Sequence, residues 1–65
     1  MDKSLVLKKP LTGWITETTS RVIAAGEIVE PTDFRQDGRI RVYWKSSPED
    51  MKFVIVNEVE LQDAI

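Results

Sequence analysis

The residues best suited to contacting another molecule lie in one short run after an Asp-Gly dipeptide. Arg39, Arg41, Tyr43 and Lys45 occupy alternate positions. Side chains alternate across a strand with a period of two, so these four share one face. Such a face can follow a phosphate backbone with its cations and stack a base on its tyrosine. It also suits a solvated surface, where long basic side chains cover a sheet and pair with acids.

The charge of the whole chain bears on this choice. Eleven acidic and nine basic residues give a formal net charge of −2, which does not favour a polyanionic ligand. Beyond the alternating run, the other basic pair, Lys8 and Lys9, joins the same face only if the first strand lies beside it. The solvated interpretation is therefore favoured over nucleic-acid binding. The nucleic-acid alternative uses Arg39, Arg41, Tyr43, Lys45, Lys8 and Lys9.

A second run, residues 53–56, is apolar at every position. If it pairs with residues 39–45, one parity fills the core, and we expect Val54 and Val56 to lie outside, beside Tyr43. An apolar patch bordered by arginines is typical of a protein-contact surface. The alternative is that another strand covers this face inside a small curled barrel.

The two tryptophans have different expected roles. Trp14 follows a predicted turn, so it is either a partly exposed anchor for a partner or a plug at one end of the core. The plug is the commoner arrangement. Trp44 shares parity with Ile40 and Val42, which predicts a core position.

Carboxylates are the remaining candidates for chemistry. Asp33 and Asp37 lie four residues apart, and Glu49 and Asp50 are adjacent. Pairs of carboxylates are suited to binding a hard cation or to general acid–base catalysis. However, Asp37 is explained by its turn and Asp50 by a helix cap. The chain has no cysteine and no histidine, which excludes disulfides, the usual zinc sites and Ser-His or Cys-His nucleophile pairs. We predict no catalytic residue, metal or cofactor.

The pattern of turn and β-forming residues predicts short strands. The predicted order is a strand over 4–9, a turn over 10–13, a loop over 16–20, a segment over 21–30, a loop over 31–38, and strands over 39–45 and 52–57. Between the last two strands, Ser47 suits an N-cap and Pro48 a first helical position, which predicts one helical turn. The alternation of Val59 and Leu61 predicts a short closing strand over 58–62.

The segment over 21–30 admits two structures. Ser20 can cap a short helix that ends at Gly26, but such a helix is too short to hold without strong tertiary support. The alternative, which we prefer, is a strand bent at Ala25 and Gly26, since glycine inside a strand commonly marks a bulge or sharp bend.

These elements resemble a known fold pattern. The residues that carry the resemblance are Gly26 to Val29, the run 37–44, and Val59 to Leu61. Together they are similar to SH3-like small barrels, a group that includes KOW and Tudor-type modules. The resemblance implies a five-stranded all-β barrel with a short helical or 3₁₀ turn, and a binding role. The loop over 16–20 has no aromatic residue, so polyproline binding is not implied.

Size and composition agree with one small domain over residues 1–65. Val, Ile and Thr are abundant and Ala is scarce, which favours strands. A domain of about 60 residues buries only about 60% of the surface that its unfolded chain exposes and is marginally stable, so a homo-oligomer is one way to gain stability. No apolar run is long enough for a secretory signal or a membrane span, so a cytoplasmic location is expected.

These observations predict a small non-catalytic binding module that docks on a protein partner. The expected contact surface is the outer face of strands 39–45 and 52–57. Its expected residues are Arg39, Arg41, Tyr43, Val54, Val56 and Trp14.

Overall fold

A computed structural model describes residues 4–65 as one curled antiparallel sheet, a half-barrel, with a single short helix. The mostly-β prediction is confirmed, but a strand count of five is wrong, because the sheet has six. The strands are β1 (Leu5–Val6), β2 (Leu11–Trp14), β3 (Ser20–Ile23), β4 (Ile28–Gln36), β5 (Arg39–Tyr43) and β6 (Phe53–Asn57), and the helix is α1 (Glu58–Ala64). Their order across the sheet is β1-β4-β5-β6-β2-β3.

Three consecutive strands, β4, β5 and β6, form the centre of the sheet. The turn between β4 and β5 is the predicted Asp-Gly turn. Asp37 and Gly38 have φ values of 53° and 76°, the left-handed conformations that a tight two-residue hairpin requires. The predicted pairing of β5 with β6 is also confirmed, and it runs without a break from Arg39 opposite Asn57 to Tyr43 opposite Phe53.

The hairpin of β2 and β3 adds to the far side of β6. The turn predicted over 10–13 is wrong, because Leu11 is buried and pairs with Ile23 in this hairpin. Gly13 is needed there for space. A Cβ at Gly13 would lie 2.9 Å from Cγ2 and 3.1 Å from Cβ of Val54, so glycine allows β2 to approach β6.

Residues 21–30 form strands and not a helix, which confirms the preferred prediction. The chain does not simply bend there, because two separate strands are joined by a short turn. β3 ends at Ile23, Gly26 has a φ of 93°, and β4 begins at Ile28. The two strands then pair with different neighbours, β3 with β2 and β4 with β5 and β1.

The loop predicted over 31–38 is largely wrong, because β4 continues to Gln36. Proline is tolerated in a strand at an edge or a bulge, and Pro31 lies at both an unpaired edge of β4 and the start of a bulge. The short strand β1 covers only Ile28 and Val29 of β4. The register with β5 also shifts between Pro31 and Arg35.

Two predictions for the C-terminal third are wrong. Ser47 does not start a helical turn: its hydroxyl accepts from the Glu49 N–H and donates to the Met51 carbonyl, at 3.2 and 3.1 Å, and so closes a loop. The predicted closing strand is α1. Asn57 caps this helix, since its side chain accepts from the backbone N–H of Val59 and of Glu60.

The core fills the inner side of the curled sheet. Alternate residues of the strands meet there with two residues of α1, and the helix contacts β6 and β2. The buried apolar residues are Leu7, Leu11, Ile23, Val29, Ile40, Val42, Trp44, Val54, Val56, Leu61 and Ala64. Trp44 is therefore in the core as predicted, and its indole N–H donates to Glu27 Oε1 at 2.9 Å.

Candidate binding face

The register of β5 and β6 decides which side chains share the outer side of the sheet. Directly paired residues of antiparallel strands lie on the same side. Arg41 is opposite Ile55 and Tyr43 is opposite Phe53. Both arginines of β5 are exposed, while Tyr43 and Ile55 are half-buried. The predicted grouping of Arg39, Arg41 and Tyr43 on one outer side is confirmed.

The placement of Val54 and Val56 on that side is wrong. Val54 is 1% exposed and Val56 0%, and they pair with Val42 and Ile40 in the core. A shift of one residue exchanges the two sides of a strand, so the apolar residues of β6 on the outer side are Phe53 and Ile55. In a run that is apolar at every position, only the register separates the two parities.

A bulge in β4 brings a further aromatic side chain to this side. Residues 32–34 lie opposite Arg41, because Pro31 pairs with Val42 and Arg35 with Ile40. The Thr32 hydroxyl donates to the Arg41 carbonyl at 2.8 Å and accepts from the Phe34 N–H at 3.2 Å. These bonds hold the bulge closed, and Phe34 contacts Arg41. Sequence reasoning missed Phe34 because it assigned residues 31–38 to a loop.

Aromatic rings surround Arg41. Its guanidinium carbon lies 4.9 Å from the centroid of the Phe34 ring and 5.2 Å from that of Phe53. The rings of Tyr43 and Phe53 are 5.2 Å apart and tilted by 55°. These distances are within the range of cation–π and edge-to-face aromatic contacts, so Arg41 is oriented by aromatic contacts.

Trp14 extends the surface onto β2. It pairs with Ile55 and is 43% exposed, so it does not plug the core. Beside it, an open groove of about 620 Å³ is lined by Trp14, Ile15, Thr16, Glu17, Arg39 and Ile55. A second groove, lined by Phe34, Gln36, Asp37, Arg39 and Ile55, lies on the other side of Arg39.

We call this surface the aromatic face. It contains four of the chain's five aromatic residues, and Phe34 and Phe53 are 48% and 40% exposed. Its members are Trp14, Phe34, Arg39, Arg41, Tyr43, Phe53 and Ile55.

Two of the lysines proposed for nucleic acid lie away from the aromatic face. Lys8 and Lys9 both donate their backbone N–H to the Ala64 carbonyl, which places them at the C-terminal end of α1. Lys45 lies in the turn after β5. Among residues 4–65, the basic members of this face as defined above are Arg39 and Arg41.

The carboxylates of the described residues are not gathered into a metal site. Within residues 4–65 no group of three or more Asp or Glu is arranged to hold a metal ion. Glu49 and Glu58 form surface ion pairs with Arg21 and Arg35, at 2.9 and 3.8 Å. Exposed pairs of this kind contribute little to stability.

No helix in the described part of the chain is long and apolar enough to cross a membrane. The chain matches no protein-family model, no curated protein and no solved structure.

Proposed function

We propose that this chain is a small non-catalytic binding module that docks on a protein partner through the aromatic face. The observation that carries the proposal is the contiguous set of exposed rings around Arg41, which spans β4, β5 and β6. Trp, Tyr and Arg are enriched among the residues that dominate binding at protein interfaces.

The placement of the rings supports this role over a structural one. The core is complete on the inner side of the sheet, so Phe34, Phe53 and Trp14 are not needed to fill it. Exposed apolar groups that lie together on a small domain mark a contact surface more often than scattered ones do. The partner would cover the rings, and the arginines would orient its acidic groups.

The SH3-like resemblance forms part of the same proposal. The three-stranded run of β4, β5 and β6 and the curl of the sheet support membership of that group of small barrels. The sixth strand and the C-terminal helix are departures from the five-stranded pattern.

A nucleic-acid interface on the same face is the second candidate. The exposed rings beside Arg39 and Arg41 favour it, because aromatic side chains next to cations can stack successive bases. The sequence pI of about 5.0 and the distribution of the lysines oppose it. Phosphate contacts make affinity fall steeply with salt, so binding of mixed RNA and DNA at low salt that is lost at moderate salt would support this candidate.

Capture of partners from a native extract tests the protein-binding proposal. The test variant is Phe53→Ser with Ile55→Ser, which removes two apolar side chains of the aromatic face. The control is Val59→Ser on α1, since Val59 is an exposed valine, at 66%, on the helix and not on the sheet. Val54→Ser is unsuitable because Val54 is buried and its loss would damage the core.

We expect the double variant to capture at least tenfold less of a specific protein than the wild-type chain does. The control variant should capture as much of it as the wild type. Thermal unfolding checks that both variants remain folded. Equal capture by all three folded proteins would reject the aromatic face as the contact surface.

A further inference from the structure

Two of the four arginines in the chain lack an ionic partner in the part that the structure describes. Arg21 pairs with Glu49 and Arg35 with Glu58. Arg39 and Arg41 make no salt bridge and no side-chain hydrogen bond within residues 4–65. The two unpaired guanidinium groups are the two on the aromatic face.

Arg41 is held in a way that leaves its donors available. The contacts with Phe34 and Phe53 engage the guanidinium through the ring faces, and such contacts use none of its five N–H groups. A guanidinium group presents these donors in a rigid planar fork that matches a carboxylate. Because the rings restrain the side chain before binding, less conformational entropy is lost when the carboxylate arrives.

Arg39 lies on the same outer side of β5 as Arg41, but it lines grooves, whereas Arg41 contacts two phenylalanine rings. It lies between the two grooves of the aromatic face, with Ile55 lining both. Trp14 lines one groove and Phe34 the other, and each groove also has one acidic side chain, Glu17 or Asp37. A carboxylate bound at Arg39 would therefore have an aromatic and an acidic side chain on each side, which favours apolar residues next to it in a peptide.

The spacing of the two arginines sets the form of the ligand. Residues two apart on a strand are separated by about 7 Å. An extended peptide presents alternate side chains at the same separation, so acidic residues at alternate positions can meet both arginines. Continuing in the same direction, the next alternate position meets Tyr43 and Phe53, which form an apolar pair.

We propose, on the basis of the proposed function above, that the aromatic face binds an extended acidic segment of its partner. Two carboxylates at alternate positions pair with Arg39 and Arg41, and an apolar side chain two positions further on packs against Tyr43 and Phe53. The charge complementarity is local. Glu30 lies opposite Tyr43 and Asp37 lies in the turn between β4 and β5, so acidic groups at both ends of the arginine pair oppose a long polyanion.

The test uses fluorescence anisotropy to measure the binding of the full chain to three libraries of nine-residue synthetic peptides. The first library has two Asp residues at alternate positions and one varied apolar residue two positions further on. The second has Asn in place of each Asp, and the third has the two Asp residues adjacent, with the same net charge. A ten-nucleotide oligothymidine serves as the polyanion probe.

We expect the first library to contain peptides that bind at least tenfold more tightly than their counterparts in the other two. Arg39→Gln and Arg41→Gln should each weaken these peptides about tenfold, the size expected for a charge-assisted hydrogen bond. Neither variant should change the binding of the Asn peptides. Both arginines are exposed, so the variants should remain folded.

Three other outcomes would overturn the inference. Equal binding of Asp and Asn peptides that is lost in Phe53→Ser would reject the acidic specificity and leave the protein-binding function standing. Absence of peptide binding, with native capture still dependent on Phe53, would do the same. Oligothymidine binding tighter than any peptide and lost with moderate salt would reject both proposals in favour of nucleic acid.

Discussion

At the scale of single residues, small differences in position separate core from surface. Val54 and Ile55 are adjacent and similarly apolar, yet Val54 packs inside and Ile55 lies on the aromatic face. Local sequence does not distinguish them, because a strand that is apolar on both sides satisfies either parity. The partner strand decides: Ile40 and Val42 alternate clearly with arginines, and their register assigns Val56 and Val54 to the core.

Gly13 offers a test of the packing at this scale. Gly13→Ala places a methyl group 2.9 Å from Cγ2 of Val54, and the stiff, branched side chain of Val54 cannot turn aside. We expect the overpacking to cost ~1–3 kcal/mol, which exceeds the ~0.4–1 kcal/mol that the loss of glycine flexibility returns. Urea unfolding measures the difference.

The neighbouring residue supplies the control for Gly13→Ala. Thr12 is half-exposed on β2, and Thr12→Ala should lower the free energy of unfolding by less than about 1 kcal/mol. A Gly13→Ala protein as stable as the wild type would show that β2 and β6 are further apart than described.

At the scale of elements, the sequence predicts best where local chemistry and tertiary packing agree. The Asp-Gly turn and the alternation that follows it specify a hairpin on their own. The tail shows the opposite case. Val59 and Leu61 alternate, as in a strand, but Leu61 and Ala64 are three apart and are the two buried residues of α1. Over so short a stretch both periods fit, and Asn57 as the cap is the signal that favours the helix.

The loop predicted over residues 31–38 is wrong for a different reason. Pro31 indicates a loop when taken alone, because proline cannot donate to a ladder. The bulge in β4 accommodates it, and a bulge depends on the partner strand, which a single sequence does not reveal. Phe34, on the same bulge, was missed as a site residue for this reason.

The cap of α1 gives a prediction for this scale. Asn57→Ala removes the acceptor for the Val59 N–H, which lies 2.9 Å from Oδ1, and should lower the free energy of unfolding by ~1 kcal/mol. Asn57→Asp retains an acceptor and should lose much less. Thermal unfolding followed by circular dichroism compares the two variants. Equal loss in both would show that the cap does not stabilise α1.

At the scale of the whole molecule, the two sides of the curled sheet differ in what they carry. Its inner side and α1 hold a complete apolar core, while four of five aromatic residues contribute to the outer aromatic face. A domain of 65 residues buries a smaller fraction of its surface than a larger domain does, so each apolar side chain left outside the core matters more to its stability. The exposure of so much aromatic surface is the basis for the proposed docking on a protein partner.

The most direct test of this account is residue-resolved NMR of the chain with the partner obtained by capture. We predict that the largest chemical-shift changes fall on Phe34, Arg41, Phe53 and Ile55, while Val59 on α1 and Ile65 at its end change little. Changes concentrated at Val59 or Ile65, with the aromatic face unaffected, would contradict the account.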